Sequence, residues 1–161
     1  MLKTKITVDV SDAKVSSNPM DILATYSLGS CVAVCLYDPV VIVGGMLHYQ
    51  LPSSEADEDK AQKRPFMFGD TGFRILFDEL ISMGASKGRL QVKIAGAARM
   101  QIGQNLFDIG RRNYLAVRKN LWQKGMFIDA EDVGGTSPRN MSMDMADGTV
   151  IIKSVGKEKQ L

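Results

Sequence analysis

The chain has 161 residues, 45% of them hydrophobic and 24% charged, with a formal net charge of +2. That length suits one domain spanning 1–161 that buries a single good core. Its well-mixed charges give neither nucleic acid nor an anionic membrane a reason to bind. No apolar run approaches the roughly 20 residues that span a bilayer, and Met1-Leu2-Lys3-Thr4-Lys5 lacks the apolar centre of a secretion signal. A cytoplasmic protein without membrane insertion is expected. Its two cysteines, Cys31 and Cys35, fit a reducing compartment. On one strand they would lie about 13 Å apart, at roughly 3.3 Å per residue, too far for a disulfide.

Leu2 to Val10 alternates Leu2, Thr4, Ile6, Val8 and Val10 with Lys3, Lys5, Thr7 and Asp9, the period of a half-buried strand. Ser11 to Asn18 reads as a polar turn, closed by Asn18-Pro19, and an extended run resumes at Ile22-Leu23-Ala24-Thr25. Cys31 to Tyr37 and Val40 to Tyr49, joined at Asp38-Pro39, form a hairpin pattern whose second arm, apolar on both faces over Val40 to Met46, suits a covered central strand. Ser53 to Pro65 holds no apolar residue larger than alanine and reads as a solvated loop, with a lid over the preceding segment as the other reading. Phe73, Leu76, Phe77, Leu80 and Met83 recur at helical spacing, with Asp70 or Thr71 to cap the start and Gly84 to end it.

Arg89 to Ala95 alternates as a strand and runs into the small-residue turn Ala95-Gly96-Ala97-Ala98. After a loop, Gly110 to Lys124 reads as a second helix with Tyr114, Val117 and Leu121 inward and Gly125 as its stop. Phe127-Ile128 begins a short strand. Gly134-Gly135 is a turn or a point of close approach. Met141, Met143 and Met145 alternate with polar residues, and Asp147-Gly148 turns the chain into Thr149 to Val155, a second hairpin.

The chemistry concentrates between Thr25 and His48. His48 is the only histidine, and it stands 48 − 31 = 17 positions after Cys31, so an antiparallel hairpin returns it to the start of the first strand. A thiol with an imidazole in reach is the minimum for a cysteine nucleophile, because the thiolate attacks carbonyl carbon. At pH 7 a thiol of pKa ~8.5 is only about 3% ionised; an adjacent imidazolium that lowered it to ~6 would raise that to roughly 90%. The Gly29-Ser30 turn offers backbone N–H groups for a developing oxyanion, and Thr25 is a candidate third group to hold the imidazole in one tautomer, through its hydroxyl or its carbonyl. Packing is the plainer reading of a lone cysteine, and Cys35, between Val34 and Leu36, keeps it. Metal binding is disfavoured: two cysteines and one histidine lack a fourth ligand and the usual spacing.

At these residues the chain resembles the chemoreceptor glutamine deamidases of bacterial chemotaxis, the CheD family. The resemblance rests on Thr25, Leu28-Gly29-Ser30-Cys31-Val32-Ala33-Val34, Leu36-Tyr37-Asp38-Pro39 and His48-Tyr49-Gln50-Leu51-Pro52. It continues through Lys93-Ile94-Ala95-Gly96-Ala97, Ile109-Gly110-Arg111-Arg112-Asn113, Asp132-Val133-Gly134-Gly135 with Arg139, and Asp147-Gly148. It implies Cys31 as nucleophile, His48 as general base and acid, Thr25 as third member of a triad, and a thioester formed from glutamine side chains of methyl-accepting receptors. It implies no cofactor, and a CheC-type chemotaxis phosphatase as partner. The implied fold is α/β (α+β), a sandwich with mixed, largely antiparallel sheet packed by two main helices, which agrees with the strands and helices read above. The chain departs from the family pattern at Ala95, where a glycine is expected, at Gln101, where an aromatic is common, and over Ser53 to Pro65. A non-catalytic adaptor for the phosphatase is the alternative reading, and transglutamination, which shares the thioester, is a third.

Overall fold

The structure is a computed structural model that describes residues 2–100 and 108–161; Gln101 lies outside the described residues. Among the described residues, ten strands form two five-stranded sheets. The first sheet takes β1 (Thr4–Thr7), β3 (Asp21–Leu28), β8 (Arg139–Asp144), β9 (Val150–Ser154) and β10 (Lys157–Gln160), side by side in that order. The second takes β2 (Asp12–Ser16), β5 (Val43–Tyr49), β4 (Val32–Asp38), β6 (Gln91–Gly96) and β7 (Ala130–Val133). β1 with β3 and β6 with β7 run parallel and every other pair is antiparallel. The sheets are mixed and largely antiparallel, as expected.

Alternation along β4 explains the layering. Ala33, Cys35 and Tyr37 point into an apolar cluster shared with Leu23, Met141, Met143 and Ile152 of the first sheet, so the two sheets face each other there. Val32, Val34 and Leu36 point the opposite way, onto α2 (Gly69–Ser82) and α3 (Ile109–Gln123). With both faces covered, all seven residues of β4 and of β5 are buried. Glycines in β5 let its neighbours close in: a Cβ on Gly45 would stand 2.6 Å from Leu76 of α2. The α2 stripe of Phe73, Leu76, Phe77 and Leu80 is buried as the spacing demands, each large side chain contributing about 2 kcal/mol of apolar burial. Gly84, at φ +103°, ends the helix.

The differences from expectation have physical causes. β1 is only Thr4–Thr7, and Ser11 to Asn18 contains β2, a polar edge strand held by its ladder to β5. β5 starts at Val43, because Val40 and Val41 belong to an exposed turn that Asp38 organises by accepting the Val40 amide. Ser53 to Pro65 is helical in pieces: a 3-10 turn at Ser54–Ala56, then α1 (Glu58–Lys63), capped by the Asp57 carboxylate, with acids in its first turn and lysines in its last. Neither Asp70 nor Thr71 caps α2. Phe68 is the N-cap residue, and the Asp70 carboxylate instead takes the amide and hydroxyl of Ser54. Arg89 closes a 3-10 turn before β6. Tyr114 is only partly buried, its hydroxyl on Glu131. β7 begins at Ala130 rather than Phe127, which is exposed, and β10 follows a Val155-Gly156 turn with φ positive at both residues.

The chain crosses from the first sheet to the second through Gly29-Ser30-Cys31, and the Ala95–Ala98 turn clamps this crossing. The Ala97 and Ala98 amides donate to the Cys31 and Gly29 carbonyls at 2.7 and 2.8 Å. Gly96 stands at φ +111°, and a Cβ there would lie 2.2 Å from the Cys31 carbonyl oxygen. Gly96→Ala therefore combines backbone strain with a backbone clash. It is expected to cost about 3 kcal/mol or more of unfolding free energy in urea titration.

Candidate active site

Thr25, on β3 of the first sheet, is buried between the sheets and reaches across them. Its Oγ1 lies 2.6 Å from the Val8 carbonyl oxygen and 2.8 Å from His48 Nδ1, on β5 of the second sheet. A hydroxyl has one proton, and a carbonyl only accepts. Thr25 must donate to Val8, so the Nδ1–H of His48 donates to Thr25. This arrangement selects the Nδ1–H tautomer and leaves the lone pair on Nε2, which has no partner among the described residues. Thr25 thus acts on the imidazole through its hydroxyl, one of the two routes the sequence left open.

His48 pairs with Ala33 in the β4–β5 ladder and so shares its face. Cys31 stands two residues before Ala33, partly buried against the same inter-sheet cluster. Same-face diagonal positions of an antiparallel pair are about 7–8 Å apart at the backbone, within side-chain reach. Thr25 and His48 are in contact, and Cys31 occupies the next position on their face. Cys35 is buried deeper in the same cluster, its thiol 3.9 Å from the Met141 sulfur; it remains a packing residue. Gly29 and Ser30 form the crossing itself. Neither the Ser30 nor the Cys31 amide is spent on another backbone group among the described residues, and a Cβ on Gly29 would meet the Met100 sulfur at 3.3 Å.

Protonation differs from the expectation of an imidazolium beside a thiolate. Burial pushes the His48 pKa down to about 4, against a smaller upward pull from Asp9. Burial likewise pushes the Cys31 thiol up, partly offset by its own backbone amide. Both groups rest neutral at pH 7, and the imidazole keeps its Nε2 free.

Two residues that the sequence reading quoted only within a turn and the family segments also shape the site. Gly96 permits the close approach to Cys31 described above. Asn113, fully buried on α3, donates through Nδ2 to the carbonyls of Ser30, at 2.9 Å, and Gln50, at 2.8 Å. A signal existed: Gly110, Asn113, Val117 and Leu121 share the buried stripe of α3, and a carboxamide in an apolar stripe needs a polar reason.

The lowered pKa has a stability consequence. With a folded value of about 4 and an ordinary value near 6.5, the unfolded chain binds the extra proton between them. Stability from this group is therefore lost as pH falls from 6.5 toward 4, by ~3 kcal/mol. In urea titrations at pH 7 and pH 4, the parent is expected to lose about 3 kcal/mol more than His48→Gln. Equal losses would show that the imidazole is not buried neutral.

The family model described as CheD chemotactic sensory transduction matches residues 50–154. The chain is similar to the chemoreceptor glutamine deamidase CheD of Thermotoga maritima, 40% identical over 157 residues that cover 98% of this chain and 96% of that protein. It is 43% identical over 157 residues to the probable chemoreceptor glutamine deamidase CheD of Solibacter usitatus, covering 98% and 93%. To the probable chemoreceptor glutamine deamidase CheD 1 of Syntrophus aciditrophicus it is 46% identical over 151 residues, covering 94% of each. With likeness of this degree along nearly its whole length, the chain belongs to the CheD family.

Proposed function

We propose that the protein is a protein-glutamine deamidase acting on glutamine side chains of methyl-accepting chemotaxis receptors, with Cys31 as nucleophile, His48 as base and acid, and Thr25 as the group that holds His48. The observation that carries the reading is the Thr25–His48 hydrogen bond, which leaves Nε2 free on the face where Cys31 stands. The names of the relatives support the substrate class.

The Cys31 sulfur adds to the glutamine side-chain carbon as its proton passes to His48 Nε2. The Gly29-Ser30 crossing presents the Ser30 and Cys31 amides to the oxyanion. The imidazolium returns its proton to the leaving nitrogen, ammonia departs, and a thioester remains. His48 then deprotonates a water that attacks the thioester, so that glutamate is released and the thiol restored. Nδ1 keeps its proton and its Thr25 partner throughout. No cofactor and no metal enter these steps. The same reading takes 1–161 as one cytoplasmic domain and includes docking to a CheC-type phosphatase, a role separable from catalysis. A pull-down of that phosphatase by Cys31→Ala tests it, since docking is expected to survive loss of the thiol.

Mass spectrometry of a receptor cytoplasmic fragment tests the chemistry. The parent converts defined glutamines to glutamate, Cys31→Ala converts none, and His48→Gln is slower by about 10²–10⁴-fold. Thr25→Val, which cannot accept from Nδ1, falls between His48→Gln and the parent, and Thr25→Ser stays nearer the parent. A Cys31→Ala protein that still deamidates would overturn the reading. An assay with added amine that yields only glutamate would exclude transglutamination.

The base must be neutral to act, so with its pKa at about 4 kcat/KM is expected to stay level as pH falls through 6.5 and to drop only near 4. A drop centred at 6.5 would mean an imidazole in ordinary solvation.

A further inference from the structure

We infer that Asn113 is a positioning residue for the Cys31–His48 pair, an inference that rests on the deamidase reading only for its biological meaning. The β4–β5 ladder ends at Val32 opposite Tyr49, one step short of Cys31. The next rung would join Cys31 to Gln50, and it is not made. The amides of Gln50 and Leu51 turn away to the Met67 carbonyl, both at 3.0 Å. Past Val32 and Tyr49 no ladder bond fixes the strand that carries His48 relative to the crossing that carries Cys31.

Asn113 supplies that rung from outside the sheet. Its Nδ2 bridges the Ser30 and Gln50 carbonyls, one residue before the thiol and two after the imidazole. Two facing carbonyls need two donors, which among uncharged side chains of this length only a carboxamide nitrogen provides; this also settles which way the amide points. Asn113 Oδ1 has no partner among the described residues, so the residue is retained at a desolvation cost for those two bonds. The main chain reinforces the clamp. The Tyr49 hydroxyl donates to the Asn113 carbonyl at 2.6 Å, and Gly110, one turn earlier, lets α3 press against the Ala97 and Ala98 carbonyls. Those two alanines hold the Cys31 and Gly29 carbonyls through their amides.

The test reads the thiol–imidazole pair without any receptor. Alkylation of Cys31 by iodoacetamide at pH 7, followed by tandem mass spectrometry, is compared among the parent, His48→Gln, Asn113→Ala and the double variant. His48→Gln is expected to slow alkylation, and alkylation of His48→Gln at the parent rate would overturn the inference, since there would be no acting pair to position. Loss of alignment in Asn113→Ala slows it by about tenfold or more, and the double variant is no slower than His48→Gln. Asn113→Ser, too short to reach both carbonyls, gives the same pattern and replaces the alanine variant if that one does not fold. Alkylation of Asn113→Ala and Asn113→Ser at the parent rate overturns the inference. So does a loss that multiplies with that of His48→Gln, since a merely structural defect acts independently of the imidazole. A parent protein that shows this coupling but converts no receptor glutamine would sink the deamidase reading and leave the positioning role standing.

Discussion

The bond between the Thr25 hydroxyl and His48 Nδ1 is the contact on which the rest of the site depends. It joins the first sheet to the second beside a mostly apolar cluster of methionines, leucines, valines and other buried side chains. Its direction is imposed by the Val8 carbonyl, which takes the only hydroxyl proton. A buried imidazole with no such acceptor could carry its proton on either nitrogen. Here one nitrogen is committed, and the other keeps its lone pair without a partner among the described residues. A valine at position 25 would preserve much of the packing and lose the tautomer.

That same burial decides the resting charge. An imidazolium beside a thiolate would gain Coulomb attraction, but both charges would first have to leave water, and desolvation of each outweighs the opposing influences in this pocket. A neutral pair has a chemical use. In the proposed mechanism the thiol stays protonated until an amide carbon is in place, and its proton then passes to the neutral imidazole. Charge in that mechanism would then develop at the substrate rather than in the empty site.

What could be read from the residues alone follows from what each element buries. The α2 stripe and the β4–β5 hairpin bury much apolar surface, so both elements are visible in the sequence, although β5 starts at Val43 rather than Val40. β2 and β10 are edge strands whose residues are mostly polar or exposed. They are held by ladder bonds to a neighbour and carry no period of their own. α1 buries only Ala61, and its visible mark was the order of its charges, acids before lysines. The hairpin period places Ala33 opposite His48, as its pairing requires, and Thr25 was named without a basis for choosing between its hydroxyl and its carbonyl. Protonation escaped because it depends on what surrounds the imidazole in three dimensions, and Asn113 because its partners are 83 and 63 residues away.

The site is built largely by satisfying carbonyls. Those of Val8, Gly29, Ser30, Cys31 and Gln50 each accept from a donor on another element: Thr25, Ala98, Asn113, Ala97 and Asn113 again. Three of the five belong to consecutive residues of the crossing between sheets, where the ladder has stopped and the backbone would otherwise be free to shift. A buried carbonyl left without a donor carries a desolvation cost, so each of these contacts resists displacement as well as fixing a distance. Surface segments such as 53–65 are tied to this frame at few points, among them the Ser54–Asp70 bonds. The backbone around the thiol is held instead by donors to those five carbonyls.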